Sequence, residues 1–552
     1  MRLFQRINSS FFKHHKNWLI TIIVLILSIC IYSILIYNKA DHTIKWHDGT
    51  IGWIASRELM KYTDEVKVSE LSEISKIELD AETITDIRDL KYFSNLEELT
   101  LNLKNVKHMN ALEKLDKLER LVLINGNMKT FEYLTELNVS TLVLKNFTLS
   151  SIEPLSEMGN LSRLEITDTF IADISSLRNM DRLSYLSLAN VNSDTQISLC
   201  ENGDYKEIYL SNVEINSLNS LNRYTGLTSL VLEDINLIDN MDLEFPDSLK
   251  IVALKNCGLI DFKKLLTIPG LTSLDVSGNL IQDIHDLEAF NNLKELSLAN
   301  NPIYDLSPIQ RLKNITSLNL SGISLDRKML DLLSKIQLEE LSVSNCNISD
   351  LDFLKGHNEI KKLDLSNNAI DNIEVLKMYR KDLKYLDISW NPISDLSPLK
   401  DWICNADIRI QDPLYEGAEL NVSGINLGEI DFEKGIDVII DMTLSKLTAR
   451  SCGLRDTELI IVQLKLQFLD ISDNPIDNIF DCKGLALLKE VIARDTLLDE
   501  AELEIFNFYP QGVIPLTPPG TYGISSLCKE PVVWGFFPID YSKMDWIRVV
   551  IE

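Results

Sequence analysis

The sequence has few of the residues on which enzymatic and metal chemistry depend. It contains 8 Cys and 7 His in 552 residues. It has no Cys-x-x-Cys pair and no Cys/His cluster at zinc-ligand spacing. A P-loop, a dinucleotide-binding glycine pattern after a strand, HExxH and GxSxG are also lacking. We therefore expect no disulfide framework, no metal, no cofactor and no catalytic residue, and the chain is not predicted to be an enzyme.

Positive charge is scarce as well. The chain has 54 Lys and Arg against 82 Asp and Glu, which gives a formal net charge of -28. The first 45 residues carry +5 and the remainder -33, which together make up that total. Such a negative field repels phosphate backbones and argues against nucleic-acid binding. It would attract a basic partner surface, or it serves only to keep the protein soluble.

One long run lacks charge entirely, "WLITIIVLILSICIYSILIY" from Trp18 to Tyr37. Its residues 19–37 come close to the ~20 that a helix needs to cross a bilayer, whereas the apolar core of a signal peptide is usually about 7–15 residues long. The residues "YNKA" before a possible cut at Ala40 match a cleavage site poorly, and "LSIC" at Cys30 resembles a lipoprotein signal but has Ile where a small residue is expected. We therefore predict an uncleaved transmembrane anchor at 19–37.

The charges around the anchor predict its orientation. Four basic residues precede it, and only Lys39 and Lys45 closely follow it. The positive-inside rule then predicts a cytoplasmic tail at 1–18 and places all later residues outside the cell. The predicted localisation is a single-pass membrane protein with an extracellular domain at the cell surface.

After the anchor, the pattern L-x-x-L-x-L recurs in steps of 22 residues, with one step of 21 and two of 23. Its first position falls at Ile74, Leu96, Leu118, Val139, Leu161, Leu183, Tyr205, Leu227, Leu249, Leu271, Leu293, Ile315, Leu338, Ile360 and Leu383. Asn405 is a degraded sixteenth position, and Leu444, Leu466 and Leu488 resume the step. This predicts repeats at 74–412 and 444–504, separated by an irregular or degenerate repeat at 413–443.

Comparison of two copies of the repeat indicates its structural role. "LKELSLANNPIYDLSPIQRL" at 293–312 returns as "LKYLDISWNPISDLSPLKDW" at 383–402. Alternation in the first half predicts a short strand with one buried face, and the three-residue spacing around Pro308 predicts a 3₁₀ turn or short helix. No copy can bury its apolar face alone, so the copies must stack. The predicted fold is an α/β solenoid with one parallel strand per repeat.

The ninth position of the repeat lies where the chain turns away from its strand. It is occupied by Asn279, Asn301, Asn368, Asn391 and Asn474, and by Cys257, Cys346 and Cys452. An Asn amide can satisfy backbone groups in a buried turn, and a small thiol packs there. The first eight repeats instead have Glu82, Lys104, Gly126, Phe147, Thr169, Val191, Val213 and Ile235. We therefore predict that the N-terminal half is less regular.

With this step and the stretches "NPIYDLSPIQRLKNITSLNLS" and "NNAIDNIEVL", the array resembles the internalin-like class of bacterial leucine-rich repeats. The resemblance implies a leucine-rich-repeat horseshoe on the outer face of a Gram-positive cell, with 3₁₀ or short helices on its convex side. It implies a protein partner and no catalysis. The entrance resembles that class too, and implies a cap helix at 51–62 within a segment 38–73. The chain ends "MDWIRVVIE" without the LPxTG signal of that class, so we predict attachment through residues 19–37.

The third, fifth and seventh positions of each repeat should point to the concave face. Several apolar and aromatic side chains occupy these positions or adjoin them, where polar ones are usual, and they are the candidate binding residues. These are Val122, Ile124, Val143, Tyr185, Tyr209, Val231, Ile251, Tyr385 and Trp390. The alternative is that irregular N-terminal repeats, or the cap helix, bury some of them.

The sequence leaves two functions open. The first is a membrane-tethered ectodomain that binds a protein partner of unknown identity on its concave face. The second is a structural scaffold of the cell envelope with no soluble ligand. Residues 505–552 are rich in aromatic residues and form either a C-terminal cap or a small separate module.

Overall fold

A computed structural model describes residues 42–498 and 548–550, except for 60, 127–133, 136, 216–217, 238–242, 380–382, 401, 403–416, 441, 461–464, 480, 483–484 and 486. The predicted cytoplasmic tail and transmembrane anchor at 1–37 lie outside these residues, and so does most of 505–552. Among the helices that are described, none combines the length and the apolar character that crossing a membrane requires.

The chain divides into two compact units, Met1–Gly203 and Asp204–Glu552. The strands of the first unit are β1 (Lys76–Leu79), β2 (Glu98–Asn102), β3 (Arg120–Ile124), β4 (Thr141–Lys145), β5 (Thr148–Ser151), β6 (Arg163–Asp173) and β7 (Tyr185–Ser193). Those of the second are β8 (Glu207–Ser211), β9 (Ser229–Glu233), β10 (Ile251–Lys255), β11 (Ser273–Asp275), β12 (Glu295–Ser297), β13 (Ser317–Asn319), β14 (Glu340–Ser342), β15 (Lys362–Asp364), β16 (Tyr385–Asp387), β17 (Ala418–Asn421), β18 (Leu444–Thr448), β19 (Phe468–Asp470), β20 (Glu490–Ile492) and β21 (Arg548–Val550).

Helical turns connect successive strands. The α-helices are α1 (Gly49–Glu58), α2 (Arg327–Leu333) and α3 (Ile436–Ile440). The 3₁₀ helices are Glu70–Glu73, Arg88–Tyr92, Met109–Lys114, Glu153–Glu157, Ser175–Asn179, Leu221–Arg223, Lys263–Thr267, His285–Ala289, Ser307–Arg311, Asp352–Gly356, Glu374–Tyr379, Ser397–Leu399, Phe432–Lys434 and Glu458–Ile460. The predicted combination of strands with 3₁₀ or short helices is confirmed for the described residues.

The strands of each unit are parallel and stack in register. In the first unit Ile77 pairs with Leu99, and Leu99 with Leu121. In the second, Leu296 pairs with Leu318 and Leu318 with Leu341. The paired residues occupy the fourth position of successive repeats, and their side chains are almost completely buried. Burial of each such leucine contributes about 1.5–3 kcal/mol, so the repeated leucines hold the stack together.

Asparagine at the ninth position satisfies the turn as predicted. The Asn279 amide nitrogen lies 2.7 Å from the carbonyl oxygen of Leu254 and 2.8 Å from that of Val276, to which it donates. Its carbonyl oxygen accepts from the backbone N–H groups of Cys257 and Leu259, both at 3.0 Å. Asn301, Asn368, Asn391 and Asn474 make equivalent bonds. One side chain thus links two successive repeats.

The cysteines at the same position are packing residues. The thiols of Cys257, Cys346 and Cys452 are buried, and each donates to two backbone carbonyl oxygens. Burial raises the pKa of Cys257 and Cys346 to about 11 and that of Cys452 to about 12. These thiols stay protonated at neutral pH and are therefore poor nucleophiles.

In the first unit, the repeats that carry Phe147, Thr169 and Val191 at the ninth position are regular, contrary to the expectation of a less regular N-terminal half. There the backbone itself supplies the bonds that Asn supplies in the second unit. Past the turn, β5 pairs with the second half of β6, and that half pairs with the end of β7. The hydroxyl of Thr169 accepts from the N–H of Phe147 at 3.2 Å and donates to the carbonyl oxygen of Thr167 at 2.8 Å. A second parallel ladder therefore replaces the asparagines.

The sixteenth repeat is not where the sequence placed it. β16 pairs directly with β17, and Leu386 lies opposite Leu420. The first position of this repeat is therefore Gly417, and Asn405 lies outside the described residues. Because Leu420 in turn pairs with Leu447, the segment predicted as irregular or degenerate, 413–443, contributes a strand to the stack.

The entrance to the array contains the predicted cap helix. α1 begins at Gly49, two residues before the predicted start, and ends at Glu58 rather than at residue 62. Asp48 caps it by accepting from the N–H of Thr50 at 2.9 Å and also accepts from that of Thr85 at 2.7 Å. Burial opposes the ionisation of Asp48, but its backbone hydrogen bonds outweigh burial and lower its pKa. The fully buried Asp89 accepts from the N–H of His47 at 2.6 Å. Two carboxylates therefore fix α1 to the first repeats.

Replacing Asn301 by Ala should leave several buried backbone groups without hydrogen-bond partners at once. We expect it to lower the free energy of unfolding by at least about 3 kcal/mol, because each unsatisfied buried group costs about 1–3 kcal/mol. Urea denaturation followed by circular dichroism measures this. Asn314→Ala is the control, since that exposed amide makes one bond, 2.8 Å to the carbonyl oxygen of Asn291, and should cost about 0.5 kcal/mol or less. Equal effects of the two variants would contradict the role given to Asn301.

His357 should make the protein sensitive to acid. It is fully buried, and neither ring nitrogen has a hydrogen-bond partner among the described residues. Burial lowers its pKa from 6.5 to about 4. Between these values the unfolded chain binds more protons than the folded one, so stability falls as the pH drops through this window. We expect His357→Leu to remove this loss of stability. Relative to the wild type, the variant's free energy of unfolding should then rise by up to about 3 kcal/mol near pH 4.

Unfolding of wild type and variant at pH 4, 5 and 7 checks this expectation. His285→Leu is the control. The hydrogen bond with Asp283, and then its charge, raise the pKa of His285, so its contribution is present at acid pH and is lost as the pH rises. That variant should gain nothing on acidification. A pH-independent effect of His357→Leu would show that His357 does not carry the acid sensitivity.

Candidate functional site

The candidate site lies on the side of the strands that carries the third, fifth and seventh repeat positions, which we call the open face. In β14, for example, Leu341 points into the core while Glu340 and Ser342 on either side are half-buried. The open face differs between repeats, whereas the core face is leucine-rich throughout. We describe it for each unit in turn.

In the first unit, the prediction that Val122 and Val143 are accessible is wrong, because both are buried. The two valines are paired in register on adjacent strands. An ion pair also crosses β4, which carries Val143. Arg120 on β3 places a guanidinium nitrogen 4.0 Å from the Oε1 atom of Glu165 on β6. The valines therefore contribute to packing.

The other two candidates of the first unit, Ile124 and Tyr185, are half-buried. The guanidinium carbon of Arg163 lies 3.2 Å from the ring centroid of Tyr185, a cation–π contact. Arg163 also donates to Glu165 at 2.9 Å. One ring face of Tyr185 is thus already covered.

The second unit carries the remaining candidates. Tyr209 and Val231 are half-buried, and Ile251 is 46% exposed. The hydroxyl of Tyr209 donates to the Oε2 atom of Glu233 at 2.9 Å. These three residues lie on β8, β9 and β10, which are adjacent strands, and they form one small area of the open face.

A hollow of about 890 Å³ lies on the open face of the second unit and extends from β13 to β19. Tyr385, one of the predicted residues, lines it together with Phe468. Charged side chains lie on either side of these rings. They are Glu340, Lys362, Asp364, Lys384, Glu419 and Lys446.

Two pairs of opposite charge lie in the hollow. The Nζ atom of Lys362 lies 2.6 Å from the Oε1 atom of Glu340. The Nζ atom of Lys446 lies 4.0 Å from Glu419 and 4.9 Å from the ring centroid of Phe468. Burial, and then the negative charges of Asp387, Asp364 and Glu419, raise the pKa of Tyr385, so its hydroxyl remains neutral. The hollow therefore combines neutral aromatic surface with balanced charge.

Asp387, two residues after Tyr385, is a structural carboxylate. Asp387 accepts from the backbone N–H and the hydroxyl of Ser389 at 2.9 and 2.6 Å, and from the amide of Asn421 at 2.7 Å. Burial raises the pKa of Asp387, and the bonds from Ser389 oppose this. In the described part of the chain, no group of three or more His, Cys, Asp or Glu could hold a metal ion.

Trp390 adjoins the open face at the eighth position of its repeat. It is 52% exposed and has a φ of 56°, a left-handed conformation that bulky residues rarely adopt. Its ring lies over Gly424, the eighth residue of the next repeat, where an added Cβ atom would come within 2.4 Å of the Cε3 atom of Trp390. Tryptophan therefore occupies a strained position that other repeats give to different residues.

That position carries a signal that we did not use in the sequence. Its residues share a positive φ and are mostly Asn, Asp or Gly, the residues that tolerate it best. They are Asn125, Asn146, Asp168, Asn190, Asn212, Asp234, Asn256, Gly278, Asn300, Gly322, Asn345, Asn367, Trp390, Gly424, Ser451, Asp473 and Asp495. The same pattern would have placed the sixteenth repeat at Gly417. Sequence reasoning also missed Phe468, which an inspection of third positions would have found.

Family models match parts of the chain. One described as "Leucine Rich repeats (2 copies)" matches residues 336–378, and one described as "Leucine Rich repeat" matches residues 381–396. A third, "Endo-beta-N-acetylglucosaminidase EndoS LRR domain", matches residues 201–301. No curated protein matches this chain.

Solved structures of repeat proteins are similar over most of the chain. An internalin, InlF, from Listeria monocytogenes is 18% identical, with 84% of this chain and 94% of that one covered and a TM-score of 0.27. A Leptospira interrogans LRR protein is 17% identical, with coverages of 80% and 95% and a TM-score of 0.28. The LRR ectodomain of the Arabidopsis thaliana receptor kinase GASSHO1/SCHENGEN3, solved in complex with CASPARIAN STRIP INTEGRITY FACTOR 2, is 15% identical, with coverages of 75% and 57% and a TM-score of 0.34. At these identities the likeness concerns the fold alone.

The contact of Trp390 with Gly424 can be measured by a double-mutant cycle. Gly424→Ala should cost about 2–3 kcal/mol, because it adds a methyl group against the ring and places Ala at a φ of 72°. In a Trp390→Asn background only the backbone strain remains, and the cost should fall by about 1 kcal/mol. Denaturant unfolding of the four proteins gives the coupling energy. A coupling of zero would mean that the ring does not rest on Gly424.

Proposed function

We propose that this leucine-rich repeat protein, whose structural neighbours include internalins, is a non-catalytic, membrane-tethered binding protein. Its repeats lie outside the cell and hold a protein partner on the open face of the sheet, which is the concave face predicted from the sequence. The hollow around Tyr385 and Phe468 is the main contact area.

The observation that carries the proposal is the composition of this hollow. Aromatic rings flanked by polar and charged side chains are typical of the centre of a protein interface. The core leucines of these strands are buried already, so Tyr385 and Phe468 are not required to complete the core. The area around Tyr209, Val231 and Ile251 is a second contact region of the same unit.

The tether and the orientation rest on the sequence. Residues 19–37 are uncharged and long enough to span a bilayer, and basic residues are concentrated before them. The excess of negative charge lies after this segment and therefore on the outside. A partner with basic groups would be attracted towards the protein over a distance of about 10 Å.

Proximity labelling on intact cells tests the topology and the partner together. A labelling enzyme fused to the C-terminus of the full-length chain is supplied with a membrane-impermeant substrate. We expect surface proteins to be labelled. Tyr385→Asp should reduce labelling of the true partner at least about tenfold, since it places a charge in the centre of the interface.

Tyr304→Asp is the matched control, because Tyr304 is 65% exposed and does not line the hollow. It should leave the labelling unchanged. Labelling confined to cytoplasmic proteins would invert the proposed topology. Surface labelling that is insensitive to Tyr385→Asp would remove the hollow from the binding site.

A further inference from the structure

The third positions of seven consecutive strands, β14 to β20, form a row across the open face of the second unit. In order along the stack they are Glu340, Lys362, Tyr385, Glu419, Lys446, Phe468 and Glu490. The order Glu, Lys, aromatic thus occurs twice in succession. We call these seven residues the third-position row.

The register makes this order a spatial one. Each residue of the row lies opposite the next on the neighbouring parallel strand. This includes Tyr385 and Glu419, whose pairing could not be predicted from the sequence because the repeat between them is longer than the others. All but Glu490 line the hollow. The row is therefore continuous, although the repeats that carry it differ in length.

The local charge of the row differs from that of the whole chain. Three carboxylates and two ammonium groups are interleaved, and Lys362 is paired with Glu340 at 2.6 Å. The pair of Lys446 and Glu419 is longer, at 4.0 Å, and Lys446 lies over the ring of Phe468. A ligand here is selected by the order of neighbouring groups, whereas the net charge of -28 acts only from a distance.

The spacing of the two aromatic rings favours one ligand conformation. Neighbouring strands lie about 4.8 Å apart, so Tyr385 and Phe468, three strands apart, are separated by about 14 Å. An extended peptide rises about 3.3–3.4 Å per residue and points alternate side chains to the same side. Its residues i and i+4 are therefore on one face and about 13 Å apart, which matches the rings.

A helical ligand matches less well. A helix rises 1.5 Å per residue, so about 14 Å corresponds to nine or ten residues. With 3.6 residues per turn, residues that far apart point in different directions, and the next residue on the same face is about 16.5 Å away. The rings are therefore spaced for an extended chain.

We propose that the third-position row binds an extended peptide that crosses the strands and carries two bulky aromatic or apolar side chains four residues apart. One packs on Tyr385 and the other on Phe468. The side chain midway between them is polar, because it lies over Glu419 and Lys446. A basic side chain two residues beyond the Phe468 contact reaches Glu490. This inference rests on the proposed function and names the chemistry of the partner at that same site.

Three synthetic peptides of identical composition test the spacing. TYTSTYTKT has its tyrosines four residues apart, TYTSYTTKT three apart and TYTSTTYKT five apart. The many threonines favour an extended backbone. Binding of fluorescently labelled peptides to the purified full-length chain is measured by polarisation. We expect the four-residue spacing to bind at least about tenfold tighter than either isomer, as the loss of one aromatic contact predicts.

Variants assign the effect to the row. Phe468→Ala should abolish the preference for spacing, Phe468→Tyr should retain it, and Tyr304→Ala should leave it unchanged. Glu490→Lys provides a test that does not depend on the aromatic residues. It should reverse the preference between TYTSTYTKT and TYTSTYTET, because the charge that it presents is inverted.

The outcomes separate this inference from the function on which it rests. Equal binding of the three isomers, or no binding up to about 1 mM, overturns the extended-peptide inference. If proximity labelling still depends on Tyr385 in that case, the proposed function stands and the partner binds in another conformation. If labelling does not depend on Tyr385 either, both fail.

Discussion

Each repeat must turn away from its strand at a buried position, and the backbone groups at that turn need partners. An unpaired buried N–H or C=O costs as much as a lost hydrogen bond, and this array would incur the cost once per repeat. The second unit meets the requirement with one amide side chain, as Asn279 does between Leu254 and Val276. The last three repeats of the first unit meet it with a second parallel ladder along β5, β6 and β7. Both solutions keep the strands in register.

The open face depends on that register. Once the turn is fixed, the fourth and sixth positions must face the core, and the third, fifth and seventh positions must face away from it. The core positions then have little freedom to change, whereas the outward positions can vary from one repeat to the next. The hollow at Tyr385 and the row from Glu340 to Glu490 use this freedom. The strained Trp390 uses it at the adjoining eighth position, where its backbone conformation favours a smaller residue.

Much of the fold could be predicted from the sequence because its period is strict. The strands, the buried leucines and the role of Asn301 all follow from repeat spacing and from the hydrogen-bonding capacity of an amide. The second ladder of the first unit could not be predicted in this way. The residues at its ninth positions, such as Phe147 and Val191, indicate only that no asparagine is available there. Backbone pairing does not require particular side chains, so the sequence does not predict it.

The candidate site was less predictable, for two physical reasons. Val122 and Val143 are buried although they stand at outward-facing repeat positions, and no local pattern reveals this. The third-position row depends on the pairing of β16 with β17, which joins residues 34 positions apart, Tyr385 and Glu419. Until that register is known, Tyr385 and Phe468 cannot be assigned to one row. Tyr385 could be predicted as a binding residue because it belongs to a repeat of regular spacing.

Hydrogen exchange of the turn amides is the most direct test of the central claim, that satisfied turns hold every strand in place. The amides of Cys257, Cys346 and Cys452, which bond to asparagine side chains, should exchange as slowly as the amides within the strands. The amides of 169–171, in the second ladder of the first unit, should be equally slow. Fast exchange at either set of turns, with the strands still protected, would show that the turns are not what holds the register.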